Sequence, residues 1–454
     1  MPNLKLTLIG GGSYPWTPGV LSNLMSNPRL DGCHIVLNDI NPEALELNYQ
    51  LALRYQEVSG SAITFERTVN QEQALDGADF AVVTISTGGL KTMEPDLLIP
   101  EEYGIFQTVG DTVGPGGLSR ALRNIPVFLE MARTMERRCP EAWMINLSNP
   151  LSVLTRVVNK ETGIRALGMC HGVYGTAQQY ADFLGVTLAD VAFVNTGLDH
   201  CSWFTEFLVK GENAWDLLDE KGLDAWLAKP PSEAKDDPVF ASLYDLRCSL
   251  MLGQHYGPLP AIGDRHMCEF FPNFLQGLDN VKKYGLVRTP LSARAARYDL
   301  WCKKIERMVS GELQPRFQDA TDVLGARQSD DLASWVLALS GLGPVYEDNV
   351  NAPNIGQIPE LPPGAVVETR CLLDATGYRP LASPLPEALE PVILPHVIRQ
   401  ELTVEAGVEG DFEKAVAVLA SDPLVRGIED VRPMLTRMLE ATKEYLPQFR
   451  SGSE

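Results

Sequence analysis

Three short apolar segments, each followed at once by polar side chains, constrain the fold of this chain more than any other feature. The three are Met144-Ile145-Asn146-Leu147-Ser148-Asn149, Gly168-Met169-Cys170 and Gly197-Leu198-Asp199-His200. A buried run that stops at polar groups is typical of a strand in a parallel sheet. Because the carboxyl ends of such strands share one crevice, where ligands bind, we expect Asn149, Cys170 and His200 to line one pocket.

The amino-terminal part of the chain predicts a dinucleotide-binding unit. An apolar strand, residues 4–9, runs into the glycines 10–12, a helix begins near Pro18, and a second strand ends at Asp39. Glycines at such a turn let the backbone approach a pyrophosphate, and an acid shortly beyond them can bind a ribose diol. A helix over residues 42–55 and a strand over 80–86 complete the βαβαβ pattern.

This glycine pattern is incomplete. The third glycine of the usual G-x-G-x-x-G motif would fall at Pro15, so a plain strand-to-helix turn without a ligand is the alternative. The acid at Asp39 favours NAD over NADP, because its carboxylate would repel a 2′-phosphate.

Two further segments carry many polar side chains. Residues 87–123 show no clear periodicity and contain the glycine-rich stretch 107–117, which we predict to be a functional loop before a helix over 125–138. Residues 263–272 place Asp264, Arg265, His266 and Glu269 among aromatics. This composition indicates either an active-site wall or a salt-bridged corner in which Arg265 pairs with Glu269. Asn149 is predicted to cap a helix that starts at Pro150.

Length and composition limit the function classes. The 454 residues suggest two domains, a dinucleotide-binding domain over 1–200 and a substrate, metal and oligomerisation domain over 201–454. The 38 Lys and Arg against 59 Asp and Glu give a formal charge of -21, which disfavours binding to nucleic acid or anionic membranes. No apolar run reaches the roughly 18 residues of a membrane helix. With eight scattered cysteines, we expect a cytoplasmic protein whose cysteines are reduced.

Cys170 and His200 are a candidate metal-binding pair. A thiolate and an imidazole suit borderline divalent ions such as Mn, Fe, Co, Ni or Zn, with substrate oxygens completing the coordination. Two ligands alone make a weak and open site, and an isolated Cys and His are more often structural. The spacing of Cys170 and His200 therefore does not establish a metal site, and the evidence for one has to come from the surrounding motifs.

Motifs along nearly the whole chain together resemble glycoside hydrolase family four. They are Gly10-Gly11-Gly12-Ser13 with Tyr14-Pro15-Trp16-Thr17-Pro18, Gln107-Thr108-x-Gly110-Asp111-Thr112-x-Gly114-Pro115-Gly116-Gly117, Asn146-x-x-Asn149-Pro150, Cys170-His171, Gly197-Leu198-x-His200-x-x-Trp203, Asn351-x-Pro353-Asn354-x-Gly356 and Leu402-Thr403-Val404-Glu405-Ala406. The expected fold is α/β, with a Rossmann-type doubly wound parallel sheet of lactate or malate dehydrogenase-like topology and a C-terminal α+β lobe.

The resemblance implies a glycosidase that depends on NAD+ and on a divalent metal, with Mn2+ the expected ion. In that family NAD+ takes hydride from C3 of the sugar, and the new ketone makes the C2 proton removable by a base. The aglycone leaves, water adds and the hydride returns, so no net oxidation occurs. This route differs from the two-carboxylate hydrolysis of most glycosidases.

The resemblance also implies which residues bind the cofactors. Cys170 and His200 match the metal ligands. The NAD+ site is expected at the ends of the first strands, from Gly10, Gly12, Ser13, Asp39, Thr84 and Asn146.

A second group of residues is expected to bind and convert the substrate. Asn149 and His171 are assigned to substrate binding, and Asp111 lies in a Gly-Asp-Thr loop close to the reaction centre of relatives. We predict Asp264 as the C2 base, with His266 as its rival.

The residues after Cys170 indicate the substrate class. The sequence Cys170-His171-Gly172-Val173 resembles the branch that acts on unphosphorylated α-glycosides, such as glucosides, galactosides or uronides. Arg265, His266 and Lys91 could bind an anionic group, a C6 carboxylate or a sulfonate. The related NAD-dependent sulfoquinovosidases are therefore a second possible family.

Two other functions remain compatible with the sequence. A 2-hydroxy-acid dehydrogenase would share the nucleotide-binding half but would use a His-Asp pair and substrate arginines without a metal. A non-catalytic NAD-binding regulator would need neither the Cys170 and His200 pair nor Asp111. Members of the resembled family assemble as dimers or tetramers, so we expect a homodimer or homotetramer that binds a small glycoside.

Overall fold

The computed structural model describes residues 4–315 and 332–449, in which strands and helices alternate over the first half. The strands are β1 (Lys5–Ile9), β2 (His34–Asn38), β3 (Thr64–Thr68), β4 (Phe80–Val83), β5 (Trp143–Asn146), β6 (Arg165–Gly168), β7 (Val191–Leu198), β8 (Cys201–Val209), β9 (Glu212–Asn213), β10 (Leu259–Pro260), β11 (Val345–Pro353), β12 (Val366–Asp374) and β13 (Gly377–Pro380).

The α-helices in the described part of the chain flank these strands. They are α1 (Thr17–Met25), α2 (Pro42–Ser59), α3 (Gln71–Leu75), α4 (Gly89–Glu102), α5 (Gly114–Arg138), α6 (Leu151–Glu161), α7 (Gly172–Leu184), α8 (Ala214–Glu220), α9 (Leu223–Leu227), α10 (Pro231–Lys235), α11 (Arg247–Tyr256), α12 (Asp264–Met267), α13 (Pro272–Leu275), α14 (Leu278–Tyr284), α15 (Leu291–Val309), α16 (Leu332–Leu339), α17 (Glu390–Glu409), α18 (Phe412–Ala420) and α19 (Ile428–Ala441).

The main sheet contains six parallel strands in the order β3-β2-β1-β4-β5-β6. Successive side chains of a strand face opposite sides of the sheet. Leu6 and Leu8 accordingly pack with α1 and α2 in one apolar cluster, whereas Ile9 packs with α5 and α6 in another. Burial of both faces explains the continuous apolar runs of these strands. The predicted doubly wound, Rossmann-type sheet is confirmed.

Three strands from the second half of the chain extend this sheet with antiparallel pairing. β11 joins β6 through the pair Asn351 and Gly168, and β12 and β13 follow outwards. This extension brings residues 345–374 next to the carboxyl end of β6, where Cys170 lies.

A smaller sheet contains β7, β8, β9 and β10. β7 and β8 form an antiparallel hairpin whose two-residue turn is Asp199 and His200. The expectation that Gly197 and Leu198 end a parallel strand of the main sheet was therefore wrong, because within residues 4–315 and 332–449 β7 pairs only with the strand that follows it. The predicted boundary between the two domains, after residue 200, lies in this turn. The division into domains 1–200 and 201–454 stays a prediction.

Two local predictions, for residues 87–123 and for Asn149, were wrong. Residues 87–123, expected to lack regular structure, contain α4 and the first turns of α5. The prolines inside α4, Pro95 and Pro100, hid its helical pattern. Asn149 does not cap the next helix, because α6 starts at Leu151 and Pro150 occupies its N-cap position. No described helix is long and apolar enough to cross a membrane.

Candidate active site

The turn between β1 and α1 brings together most of the residues that were predicted to bind the cofactor. Gly10 has a φ of 91°, and a Cβ there would lie 2.5 Å from the carbonyl oxygen of Thr84, so a larger residue does not fit. Asp39 stands at the end of β2, where its Oδ2 accepts a hydrogen bond from the Gly12 amide at 2.9 Å. Ser13 closes the turn, with its amide donating to the Gly10 carbonyl at 2.8 Å. The strand ends thus bring Gly10, Gly12, Ser13, Asp39 and Thr84 together.

Asn146, the sixth predicted cofactor residue, has a different environment. It is fully buried at the end of β5. Its side-chain amide donates to the carbonyls of Ser148 and Leu151, and its oxygen accepts from the Ser148 amide at 2.7 Å. These bonds occupy the side chain in holding the β5–α6 turn, so the geometry gives no support to a cofactor contact.

A thiol, a carboxylate and an imidazole meet at the carboxyl end of β6. Candidate ligand atoms of Cys170, Asp199 and His200 lie within 4.8 Å of one another, and all three residues are buried. Cys170 follows β6, whereas Asp199 and His200 form the β7–β8 turn. The predicted pair of Cys170 and His200 is therefore brought together from two different sheets. Sulfur, nitrogen and carboxylate oxygen are donors that divalent transition metals accept.

Asp111 is a buried carboxylate among basic groups. Its Oδ2 accepts from the Asn149 side-chain amide at 3.4 Å, and its Oδ1 lies 3.9 Å from Nδ1 of His266. Burial acts to raise the pKa of Asp111, but His266, Arg120 and His200 hold it well below the usual range. Burial lowers the pKa of His266 to about 4. Near pH 7 this imidazole is neutral, and Arg120 is the cation that keeps Asp111 ionised.

Thr112 connects Asp111 to His200. Its hydroxyl lies 2.8 Å from Oδ1 of Asp111 and 2.7 Å from Nδ1 of His200. An ionised carboxylate only accepts hydrogen bonds, so the Thr112 hydroxyl donates to Asp111 and accepts from the Nδ1–H group of His200. The other ring nitrogen, Nε2, then carries the lone pair that metal binding requires.

His266 completes this polar cluster. Its ring stacks on that of His200, with 3.7 Å between the centroids. Nδ1 of His266 is buried and makes no hydrogen bond within the described residues. Next to Cys170, His171 lies against Trp16, with ring centroids 5.5 Å apart. Because Trp16 is the N-cap residue of α1, directly after the glycine turn, this turn is adjacent to the cluster of Cys170, Asp199 and His200.

Asp264 lies apart from this cluster, in spite of its position two residues before His266. Its Oδ2 accepts from the Cys248 amide at 2.9 Å, and its Oδ1 from the Ser249 amide and hydroxyl at 2.7 and 2.8 Å. Asp264 therefore caps the N terminus of α11. Its assignment as the C2 base stays a prediction, and this geometry disfavours it because both oxygens are occupied.

Glu269 fixes the glycine-rich loop. Its Oε1 accepts from the amides of Val109 and Gly110 at 2.7 and 2.8 Å, and from the Thr108 hydroxyl at 3.1 Å. Burial raises the pKa of Glu269 to about 7. The alternative in which Arg265 pairs with Glu269 is wrong, because the loop occupies Oε1 while Oε2 of Glu269 and Nε of Arg265 both lack a partner among the described residues.

Arginines surround the cluster. Arg120 donates from Nε to the Asn149 carbonyl at 3.0 Å. Arg294, on α15, is close enough to Asp111, Arg265 and Arg120 to interact with their charges. Buried guanidinium nitrogens of both Arg265 and Arg294 find no partner in the described part of the chain. Lys91, expected as an anion-binding residue, instead pairs on the surface with Glu444 at 2.6 Å.

Four residues of this site were missed by the sequence reasoning, and one of them is Arg120, which lies beside Asp111 and carried no local signal. Asp199 stands directly before His200, but only the histidine was assigned as a ligand. Thr112 was part of the Gly-Asp-Thr motif and was given no role. Arg294 carried no local signal in the sequence.

Comparison with known proteins identifies the class to which this fold and site belong. Residues 5–186 match the family 4 glycosyl hydrolases, and residues 195–425 match the C-terminal domain of the same family. The chain is 32% identical over 467 residues to the alpha-galacturonidase of Thermoanaerobacterium saccharolyticum, covering 99% of this chain and 97% of that protein.

Solved structures show the same fold. lplD from Bacillus subtilis superposes with a TM-score of 0.84 at 31% identity, over 97% of this chain and 100% of that one. A 6-phospho-alpha-glucosidase from gut microorganisms, solved with NAD and Mn2+, gives a TM-score of 0.75 at 22% identity over 98% of this chain and 100% of that one.

The protein is therefore an enzyme, a glycoside hydrolase built on a Rossmann-type sheet. It belongs to glycoside hydrolase family 4. The resemblance inferred from the motifs is confirmed, and family membership disfavours the 2-hydroxy-acid dehydrogenase and the non-catalytic regulator.

Proposed function

We propose that this chain is an NAD+- and Mn2+-dependent glycosidase that cleaves an unphosphorylated, anionic α-glycoside, with an α-galacturonide as the leading candidate. The observation that carries the proposal is the buried cluster of Cys170, Asp199 and His200, which lies beside Asp111 and the turn after β1. The name of the galacturonidase relative, which covers 99% of this chain, supports the choice of sugar.

The residues of the site fit both cofactors. The space above Gly10 admits no side chain, and Asp39 at the end of β2 is placed to accept hydrogen bonds from a ribose. The buried Asp199 carboxylate has no hydrogen bond from the described residues, which suits a neighbouring cation. When bound, NAD+ supplies reversible hydride acceptance and the cation supplies electrophilic stabilisation of charge on the sugar oxygens.

The remaining side chains of the cluster then position the sugar and move a proton. Asn149, held by Asp111, offers its amide to a sugar hydroxyl. We assign proton removal at C2 to His266, because its imidazole is neutral and Nδ1 is unpartnered within the described residues. Asp111, 3.9 Å from that nitrogen, stabilises the imidazolium that results. The family resemblance implies that loss of the aglycone and addition of water would follow, and that the bound cofactor would supply the hydride that restores the sugar.

An anionic substituent on the sugar is supported by the cations of the site. Arg294 reaches toward Asp111 from α15, and Arg265 precedes His266 on α12. Their buried, unpartnered guanidinium nitrogens would satisfy hydrogen bonds to a carboxylate. A guanidinium forms bidentate bonds with such a group, which makes Arg a suitable specificity residue. His171 lines the same region beside Cys170.

The cellular setting is part of the proposal. All eight cysteines are free, which is consistent with a reducing compartment such as the cytoplasm. We expect the enzyme to act there as a homodimer or homotetramer.

The central experiment is a cofactor-dependence assay. The protein is supplied with NAD+, Mn2+ and a reductant, and then with chromogenic α-galacturonide, α-galactoside, α-glucoside or sulfoquinovoside. Release of the aglycone should require both cofactors, be fastest with the galacturonide, and be accompanied by exchange of the C2 proton in deuterated water. Steady accumulation of NADH from a hydroxy acid, with no aglycone released, would instead indicate a dehydrogenase.

The anion-binding step has its own variant. Arg294→Met should raise KM for the galacturonide by roughly 10- to 100-fold, because it removes charge-assisted hydrogen bonds worth about 1.5–3 kcal/mol. The matched control is Arg297→Met, an exposed arginine on the same helix. Equal KM values for both variants would contradict the assignment of Arg294.

A further inference from the structure

The β7–β8 turn places a second acidic side chain next to the metal-ligand pair. His200 adopts a φ of 65°, in the left-handed region that residues with a Cβ seldom occupy. This backbone conformation directs two consecutive side chains, Asp199 and His200, into the cluster with Cys170. Uncommon backbone conformations of this kind tend to occur where function requires them.

The Asp199 carboxylate is buried without a cationic partner among the described residues. The residue is 0% exposed, neither oxygen accepts a hydrogen bond from a nitrogen or hydroxyl group of those residues, and its close polar neighbour is the thiol of Cys170. Its Oδ2 lies 3.7 Å from Nδ1 of His200, but that nitrogen is already bonded to Thr112. A buried charge without a partner is strongly destabilising, and buried carboxylates are normally paired or bound to metal.

The neighbouring groups supply no positive charge to balance the Asp199 carboxylate. Glu368 is fully buried and interacts electrostatically with Asp199, and Cys170 is the other close polar neighbour. Oε1 of Glu368 accepts a hydrogen bond from the side-chain amide of Asn351 at 2.9 Å. No amide donates to Asp199 in the same way among the described residues. A divalent cation would be neutralised by one thiolate and one carboxylate, which is the charge balance that this pocket lacks.

We infer that Asp199 is a direct third protein ligand of the divalent cation, together with Cys170 and His200. The inference rests on the proposed metal dependence and extends it. With three protein donors the site retains the cation before any substrate arrives, whereas a two-ligand site would depend on sugar oxygens to hold it. The protein should therefore bind Mn2+ in the absence of both substrate and NAD+.

The test is the affinity for Mn2+ alone, measured by the loss of the free-ion signal in electron paramagnetic resonance. Asp199→Asn keeps the shape of the side chain and removes the charge, so its Kd for Mn2+ should rise by at least about tenfold. Asp237→Asn is the matched control, since it neutralises a buried acid whose hydrogen bonds go to Lys229, Val239 and Phe240, and it should leave the Kd within twofold of the wild type. A Kd for Asp199→Asn within twofold of the wild type would overturn the inference.

A second variant separates ligation from folding. Asp199→Cys keeps an anionic donor but makes it softer, so the preference of the site should move from Mn2+ towards Cd2+. A purely structural role of Asp199 would leave this preference unchanged. If the wild type does not bind Mn2+ in the absence of substrate, the inference fails, because a two-ligand site would need sugar oxygens to hold the cation. The proposed function fails only if release of the aglycone needs no divalent cation. If the wild type binds and both variants bind as it does, only the role of Asp199 fails.

Discussion

Thr112 offers the sharpest test of how this site prepares a metal ligand. Its hydroxyl accepts a hydrogen bond from Nδ1 of His200 at 2.7 Å and donates one to Asp111 at 2.8 Å. Thr112→Val preserves the volume of the side chain and removes both bonds. The imidazole then either keeps an unsatisfied proton on Nδ1 or moves it to Nε2, where it blocks the metal.

The size of the effect follows from the burial of this ring. His200 is 6% exposed, so water cannot replace the lost partner. Leaving a buried donor unpaired costs about 1–3 kcal/mol, equivalent to roughly 5- to 150-fold in Kd for Mn2+. Outer-shell partners of metal-bound histidines show effects of similar size, about 10- to 100-fold.

The measurement is a Mn2+ titration without substrate, with Thr112→Ser as the matched control. The serine retains the hydroxyl and should bind within about threefold of the wild type, whereas the valine variant should be weaker by at least about tenfold. The affinity for NAD+ should change little in either variant. Equal Mn2+ affinities for the valine and serine variants would refute the tautomer argument.

Three further outcomes are expected. Asp39→Ala should weaken NAD+ binding about 10- to 100-fold in a fluorescence titration, through lost hydrogen bonds to a charged group, and an unchanged Kd would exclude a ribose contact. Burial raises the pKa of Glu269 from 4.5 to about 7, so its contribution to stability is complete below pH 4.5 and is lost as the pH rises through 7. Glu269→Gln should therefore gain stability over the wild type between pH 5 and pH 8, by up to about 3 kcal/mol in urea unfolding, and a constant difference would contradict this. Gly10→Ala should lower thermal stability more than Gly60→Ala, because both have positive φ but only Gly10 would contact a backbone oxygen.

Much of the fold could be predicted because local pattern and global topology agree. The apolar strands β1, β2, β4 and β5, the glycine turn and Asp39 follow from residues close together in the chain. The exceptions have identifiable causes. β3 is mostly exposed at the sheet edge and lacks an apolar run, and prolines inside α4 concealed a helix. The buried end of β7 has the same apolar pattern as the end of a parallel strand. Its antiparallel pairing with β8 is decided by the hairpin turn, which the pattern does not reveal.

The site divides in the same way. The sequence by itself determined the pairing of Cys170 with His200 through the family motifs that contain them. The argument from parallel strand ends holds for Cys170 but not for His200, which lies in the β7–β8 turn. Only the tertiary structure decided which neighbours turn toward this pair of residues. Asp264 and His266 are two residues apart, yet one caps α11 and the other stacks on His200. Such choices depend on hydrogen-bond donors and charges contributed by distant segments, which no local pattern in the sequence contains.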